Sequence, residues 1–162
     1  MNLIIMRHGE AEPYETNDRN RHLTRFGKTQ SEYAGRRLAE YLQNDLIKPE
    51  IDHLIVSPYL RTQQTYEAVS KKIMVKSKID TDLITPEANI EHAADYIHAM
   101  ATGSSAPKNL MLISHMPFVS LLADKICFGF NAKIFTPADI LIVDYNVKGQ
   151  QGKQLALIQS IN

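Results

Sequence analysis

Short apolar runs alternate along this chain with longer segments in which apolar residues recur about every three to four positions. A short apolar run is typical of a buried strand, and the wider spacing is typical of an amphipathic helix. Strands are predicted at residues 3–6, 51–57, 110–113, 140–145 and 155–158, with a weaker edge strand at residues 75–79. Helices are predicted at residues 25–43, 59–73 and 90–100, and in a segment that starts near residue 117.

Strands that alternate with helices favour a mostly parallel sheet with helices on both faces. The element order therefore predicts a three-layer α/β/α sandwich. Turn-forming residues at 148–152 separate the last two strands, so these strands are expected to form a terminal hairpin. Because no repeat or linker interrupts the pattern, residues 1–162 are predicted to form a single domain.

The helical spacing also predicts which side chains face the core. Thr24 stands where an N-cap is expected for the first helix. The inward positions predicted for that helix are Phe26, Gln30, Tyr33, Ala34, Leu38, Tyr41 and Leu42. Those predicted for the helix after residue 117 are Phe118, Leu121, Leu122 and Ile126.

Composition and charge exclude several classes of protein. Lys and Arg together number 18, as do Asp and Glu, so no net field favours nucleic acid or a membrane surface. No apolar run approaches the length of a membrane span, and no secretory signal pattern opens the chain, so a cytoplasmic protein is predicted. The single Cys127 excludes an internal disulfide and is predicted to be a buried structural thiol. Without a heptad pattern, a monomer is the default expectation.

Three of the predicted strands end in polar residues that can carry chemistry. These residues are Arg7 and His8 after the first strand, Ser57 and Arg61 after the second, and Ser114 and His115 after residues 110–113. The carboxyl ends of parallel strands lie at one edge of a sheet, where α/β proteins place their ligands. Two arginines and two histidines at this edge indicate a site for a dianion, because a guanidinium can grip two phosphate oxygens. The Arg7-His8 pair taken alone fits a solvated strand end equally well.

Motifs for other kinds of phosphate chemistry are missing from the sequence. There is no Gly-x-x-x-x-Gly-Lys-Ser/Thr loop, no Gly-x-Gly-x-x-Gly loop and no His-Glu-x-x-His metal motif. The economical mechanism uses neither a cofactor nor a metal. One histidine would attack phosphorus, and the arginines and the second histidine would neutralise charge in the transition state.

Four blocks, in order along the chain, resemble the histidine phosphatase superfamily in its phosphoglycerate-mutase-like branch. The blocks are Arg7-His8-Gly9-Glu10, Leu23-Thr24-x-x-Gly27, the run from Ser57 to Thr65, and Ser114-His115. Within that branch, the short chain and the Ser-Pro-x-Leu-Arg-x-x-Gln-Thr run are similar to the SixA phosphohistidine phosphatases. The resemblance implies a phosphoglycerate-mutase-like fold and a phosphatase that needs no cofactor.

The resemblance also implies a role for individual positions. His8 would be the nucleophile that becomes phosphorylated, and Arg7 and Arg61 would bind the phosphoryl group. His115 would donate a hydrogen bond to a phosphoryl oxygen. Two residues of the polar loop at 10–23, Arg21 and Asn17, would contact substrate phosphate. The length of this loop suggests a functional segment, which could form a lid or lie flat. Ser57 is expected to cap the second helix.

One departure from the superfamily pattern bears on the substrate. Many members carry a carboxylic acid that protonates the leaving oxygen, but Met116 follows the second histidine here, and only Glu87 and Glu91 lie in the middle region, without the surrounding motif. A phosphorylated imidazole needs such an acid less than an ester does, because its ring can be protonated near neutral pH. The expected substrate is therefore a phosphohistidine protein, such as a histidine-containing phosphotransfer domain of a sensor kinase or a phosphocarrier.

Two alternatives remain open from the sequence. The first is a phosphatase of a small phosphate ester, with Glu87 as the general acid. The second is a non-catalytic module that binds phosphate without turnover. The second conflicts with the intact set of Arg7, His8, Arg61 and His115.

Overall fold

The structure is a computed structural model that describes residues 1–14, 16–43, 49–131 and 133–162. Residue 15 of the polar loop lies outside the described residues. The strands are β1 (Asn2–Arg7), β2 (Glu50–Val56), β3 (Met74–Asp80), β4 (Asn109–Ser114), β5 (Ile140–Asn146) and β6 (Gln151–Ile158). The helices are α1 (Arg25–Leu42), α2 (Leu60–Ser70), α3 (Ile90–Thr102) and α4 (Phe118–Ile126), with short 3₁₀ turns at Asp18–Asn20 and Asp82–Ile84.

The strands form one sheet in the order β3-β2-β4-β1-β5-β6. The first four strands of this order run parallel, and β5 and β6 are antiparallel additions at one side. The mostly parallel sheet and the terminal hairpin are therefore confirmed. The weak signal at residues 75–79 is the edge strand β3.

Two hydrophobic cores lie on opposite faces of the sheet. Leu3 and Ile5 of β1 pack into the core shared with α3 and α4. Ile4 and Met6, which point to the opposite face, pack into the core shared with α1 and α2. This alternation is the two-residue period of a strand, and it establishes the predicted α/β/α sandwich.

Some element boundaries differ from the sequence expectation. The helix α2 begins at Leu60 and ends at Ser70, inside the predicted residues 59–73. The strand β6 begins at Gln151, before the predicted residue 155. Its first residues are mostly polar, and as part of an edge strand they are exposed, so apolar periodicity does not mark them. Thr24 caps α1 as predicted, since its hydroxyl accepts a hydrogen bond from the Gly27 N–H at 2.9 Å.

Three predicted core side chains are exposed, so that part of the prediction is wrong. Phe26 is 39% exposed, Tyr41 is 44% exposed and Leu121 is 47% exposed. The buried face of α1 consists mainly of small residues, and Phe26 and Leu121 lie beside the buried faces of their helices. Tyr41 lies in the last turn of α1.

Cys127 follows α4 and is buried, as predicted. Burial raises the pKa of its thiol to about 11, so the group stays protonated at neutral pH. Among the described residues, no helix is both long and apolar enough to cross a membrane.

Candidate active site

The candidate site lies where β1, β4 and β2 end side by side. Arg7 at the end of β1 is in register with Ser114 at the end of β4, and Val56 of β2 is in register with Ile113. The chain then continues from these strands into His8, His115 and Ser57. The His8 and His115 rings consequently meet edge to face, with centroids 5.2 Å apart.

His8 is held as a neutral imidazole with a defined tautomer. Its Nδ1 lies 2.6 Å from the Gly9 carbonyl oxygen, which can only accept, so Nδ1 carries the proton and donates it. The lone pair is therefore on Nε2. Burial lowers the pKa of His8 to about 3, and the charges of Arg61, Arg7 and Arg21 act in the same direction. At neutral pH the imidazole is thus unprotonated at Nε2 and can act as a nucleophile.

The backbone around His8 is fixed from several sides. The His8 N–H donates to the Ser114 carbonyl at 2.9 Å, and the His8 carbonyl accepts from the Ala138 N–H at 3.0 Å. The Gly9 N–H donates to the Thr65 hydroxyl at 3.2 Å. A side chain at Gly9 would overlap the backbone of Gly27, so the start of α1 packs directly on the segment that carries His8.

Arg61, in the first turn of α2, is almost fully buried beside His8. Its Nε donates to His8 Nε2 at 3.1 Å. Its two terminal nitrogens contact Asp18: Nη1 donates to the main-chain oxygen at 2.6 Å and Nη2 to Oδ2 at 3.0 Å. The guanidinium therefore binds the His8 imidazole through Nε and the polar loop through its two terminal nitrogens.

Arg7 reaches the site from the end of β1. Its Nη1 donates to the Phe135 carbonyl at 2.6 Å, and its backbone N–H donates to the Asp139 carbonyl at 3.1 Å. Its Nε is buried, and no described residue provides a hydrogen-bond partner for it. A buried guanidinium N–H without a partner is costly, which makes this group a candidate donor to a bound oxyanion.

His115 is oriented by two neighbours. Its Nε2 lies 2.7 Å from the Ser57 hydroxyl, and its ring packs edge-on against Tyr59 with centroids 4.8 Å apart. Its Nδ1 is buried and, within the described part of the chain, has no hydrogen-bond partner. Burial is the main cause that lowers the pKa of His115 far below its usual value, with further contributions from His8 and Arg61.

The expectation that Ser57 caps the second helix is wrong. The N-cap position of α2 is Tyr59, which makes no side-chain capping bond, and the buried Ser57 hydroxyl contacts His115 instead. The strand β2 ends at Val56 and α2 begins at Leu60, so Ser57 lies two residues before the N-cap position.

The loop residues Arg21 and Asn17 line a cavity of about 330 Å³. Arg21 donates from Nη1 to Asp18 Oδ1 at 2.9 Å and from Nε to the Glu12 carbonyl at 2.7 Å. Its charge acts on His8, so it belongs to the electrostatic surroundings of the site. Asn17 caps the 3₁₀ turn Asp18–Asn20 by accepting from the Arg19 N–H at 3.0 Å. A contact of Asn17 with substrate stays a prediction.

Asp18 and Tyr59 contact Arg61 and belong to the site, but the sequence did not predict either of them as a site residue. The Tyr59 ring contacts two guanidinium groups, with the Arg61 Cζ 4.8 Å and the Arg19 Cζ 5.2 Å from its centroid. Arg19 also pairs with Asp82. Asp18 precedes Arg21 by three residues, a spacing that allows an ion pair within a helical turn. Nothing else in the loop sequence predicts such a turn at this position, so the spacing alone did not indicate the contact.

Glu87, the other candidate for a general acid, is exposed. Met116 is half-buried directly after His115. The described residues include no group of three or more His, Cys, Asp or Glu side chains that could share a metal ion.

The fold and the site define a class of protein with an α/β/α fold, whose arginines and neutral histidines meet at the carboxyl edge of a parallel sheet. A family model, the histidine phosphatase superfamily (branch 1), matches residues 3–88. The chain belongs to this superfamily, and it is of the SixA type.

Relatives and a solved structure support this assignment. The SixA homolog of Haemophilus influenzae, a phosphohistidine phosphatase by name, is 32% identical over 86% of this chain and 85% of its own length. The phosphohistidine phosphatase SixA of Escherichia coli K12 is 31% identical over 92% of this chain and 88% of its own. A solved structure of the protein histidine phosphatase SixA complexed with tungstate has a TM-score of 0.87 and 26% identity, and it covers 98% of this chain and 97% of the other.

Proposed function

We propose that this protein removes phosphate from a phosphohistidine residue of another protein, through a covalent intermediate on His8. The observation that carries the proposal is the state of His8. Its imidazole is buried and neutral, its Nδ1 proton is held by the Gly9 carbonyl, and its Nε2 lone pair faces the Arg61 guanidinium. A nucleophile with a fixed lone pair beside phosphate-binding cations suits phosphoryl transfer.

In the first step, His8 Nε2 attacks phosphorus of the substrate. A bond forms between Nε2 and phosphorus, and the bond between phosphorus and the substrate imidazole breaks. The substrate imidazole leaves as a neutral ring after it takes up a proton from water. Arg61, Arg7 and Arg21 offset the negative charge of the phosphoryl oxygens. Arg7 Nε and His115 Nδ1, which are buried and have no hydrogen-bond partner among the described residues, would donate to those oxygens.

In the second step, water attacks the phosphorus of phospho-His8. The bond between phosphorus and Nε2 breaks, the electron pair returns to Nε2, and inorganic phosphate leaves. Water supplies the oxygen and the protons, so no cofactor is required. The relative solved with tungstate supports an oxyanion site in this fold.

The choice of a nitrogen–phosphorus substrate rests on the residue after His115 and on the relatives. That residue, Met116, cannot donate a proton to a leaving alkoxide, and Glu87 is exposed. Two relatives at 31–32% identity are named as phosphohistidine phosphatases. The expected partner is a histidine-containing phosphotransfer domain or a phosphocarrier protein. We expect the enzyme to act on it as a monomer in the cytoplasm.

A single-turnover experiment tests the proposal. A ³²P-labelled phosphohistidine protein is mixed with excess enzyme, and the wild type is compared with His8→Ala and with the control His92→Ala, which removes an exposed histidine of α3. The wild type and the control should carry a transient, acid-labile label that precedes free phosphate, and His8→Ala should carry none. Equal phosphate release by His8→Ala would remove His8 from its role. Release from an aryl phosphate but not from phosphohistidine would overturn the substrate class.

A further inference from the structure

A carboxylate of the polar loop lies inside the cationic site. Asp18 Oδ2 accepts from Arg61 Nη2 at 3.0 Å, and Asp18 Oδ1 accepts from Arg21 Nη1 at 2.9 Å. The main-chain oxygen of Asp18 accepts from Arg61 Nη1 at 2.6 Å. One residue therefore joins two of the three arginines that surround His8.

Asp18 binds the two terminal nitrogens of Arg61 and leaves the Nε–H for His8. A guanidinium is planar and presents its donors in fixed directions, so gripping one part of it sets the orientation of the rest. Asp18 accepts from both terminal nitrogens, Nη1 and Nη2. The Nε–H is left pointing at His8 Nε2, 3.1 Å away. This places the Nε edge of the guanidinium beside the nucleophilic atom, where its N–H can pass from Nε2 to an oxygen of the incoming phosphoryl group.

Asp18 is ionised when it makes these contacts. Burial by itself would raise the pKa of Asp18, but the hydrogen bonds from Arg21 and Arg61 outweigh it and hold the pKa below its usual range. A carboxylate whose oxygens accept from two guanidinium groups has no proton to give, so Asp18 does not serve as the general acid that the sequence lacks.

The negative charge of Asp18 also offsets part of the positive charge that the arginines bring to the site. Arg7, Arg21 and Arg61 all act on His8, and Asp18 is the carboxylate bonded to two of them. A site with less compensating charge would bind the phosphate product more tightly in the ground state, which does not speed the chemical step.

We propose that Asp18 is a positioning residue that aims the Nε edge of Arg61 at His8 and limits ground-state binding of phosphate. The proposal rests on the proposed function of His8, but its test does not depend on the natural substrate. The turn that carries Asp18 is tied down independently, because Asn17 caps it and the Asp18 main-chain oxygen binds Arg61.

The test compares Asp18→Asn with the wild type on an aryl phosphate, and it measures kcat, KM and inhibition by inorganic phosphate. Asparagine keeps the size and one acceptor oxygen but loses the charge and one of the two arginine contacts. We expect kcat to fall by about 10- to 100-fold, because a misplaced catalytic group has an effect of this order. We expect KM not to rise and inorganic phosphate to inhibit at an about three- to tenfold lower concentration.

Asp144→Asn is the matched control, because Asp144 is an exposed carboxylate of β5 and is in register with Asn2, at the end of β1 opposite to His8. It should leave kcat and phosphate inhibition unchanged. Thermal unfolding of both variants shows whether they are folded, and phosphate binding measured by calorimetry gives a readout without turnover.

Two outcomes would overturn the proposal. A higher kcat/KM in Asp18→Asn, with faster turnover, would mean that Asp18 competes with substrate for Arg61. A higher KM with unchanged kcat would mean that Asp18 contributes only to substrate binding. Failure of the His8 intermediate would be seen separately in the ³²P experiment, while phosphate binding by Asp18→Asn would still report on Asp18.

Discussion

The Arg61 Nε–H donates to Nε2 of His8 over 3.1 Å, so a cation from α2 binds the unprotonated nitrogen of the imidazole that follows β1. The two residues are 53 positions apart in the chain. Their contact depends on β4, which lies between β1 and β2 and is in register with both. The order of strands in the sheet thus decides which arginine meets His8.

Replacing Arg61 with lysine tests whether the planar guanidinium matters more than its charge. Lysine keeps the positive charge but cannot contact His8 and Asp18 together. We expect kcat/KM for an aryl phosphate to fall by about 100- to 1000-fold, in the range seen when one donor to a transition-state oxyanion is removed. The matched control Arg36→Lys changes an exposed arginine of α1 and should keep full activity. Activity of Arg61→Lys within about threefold of the wild type would show that charge alone suffices.

The depressed pKa of His8 predicts a pH dependence of stability. In the unfolded chain His8 has its ordinary pKa of 6.5, whereas burial lowers the pKa to about 3 in the folded protein. Between these values the unfolded chain binds a proton that the folded protein does not, so the free energy of unfolding decreases as the pH falls from 6.5 toward 3. His8→Asn removes this group, so its Tm should fall less than that of the wild type between about pH 7 and about pH 5. Parallel decreases measured by calorimetry would contradict the prediction.

Ser57→Ala should affect both stability and activity. The substitution leaves the buried His115 Nε2 without its partner at 2.7 Å, at a cost of about 1–3 kcal/mol in the free energy of unfolding. We also expect kcat to fall by about tenfold, because His115 loses one of the two contacts that orient it. Ser120→Ala removes another buried hydroxyl, which donates to the Lys133 carbonyl at 2.6 Å. It should lower stability in urea titrations while kcat stays unchanged, and an equal loss of activity in both variants would refute the role of Ser57.

Gly27→Ala tests the packing of α1 on the segment that carries His8. An added Cβ would overlap the backbone of Glu10, which cannot move without displacing Gly9 and His8. Overpacking of this kind destabilises proteins by about 1–3 kcal/mol, and activity should fall as well. At Gly149, in the turn between β5 and β6, an added Cβ would meet only ordinary contacts. Gly149→Ala should therefore have a Tm close to that of the wild type.

Glu87→Gln separates the two substrate classes. With a phosphohistidine substrate no carboxylic acid is needed, so turnover of the labelled protein should stay within about twofold of the wild type. The exposed Glu91, in the first turn of α3, provides the control Glu91→Gln. Loss of turnover in Glu87→Gln alone, on either type of substrate, would make Glu87 the general acid.

Much of the architecture was predictable because buried strands and amphipathic helices leave periodic traces in the sequence. Leu3 and Ile5 pack into one core, and Ile4 and Met6 pack into the other. Because all four residues are apolar, the sequence does not show which face each one takes, but the apolar run was enough to predict β1. The edge strand β6 was predicted too short, because a partner on one side only leaves its polar residues exposed.

The site was only partly predictable, for a physical reason. Residues at strand ends are brought together by sheet topology, so Arg7, His8 and His115 could be placed at one edge from the strand order. Asp18 sits on a loop whose path depends on its own contacts with Arg21 and Arg61. The Ser57 hydroxyl has several possible partners near a strand end, and its partner is decided by the register of β2 against β4.

The strand β1 precedes both of its partners by more than 100 residues in the sequence: β4 lies on one side of it and β5 on the other. Arg7 also takes its acceptor from Phe135, 128 positions away. During synthesis, the candidate nucleophile His8 is therefore present well before the segments that complete its surroundings. We expect a chain that ends between α4 and Phe135 to be inactive, although Arg7, His8, Arg61 and His115 are all present in it, because β1 then lacks one neighbouring strand and Arg7 lacks its acceptor.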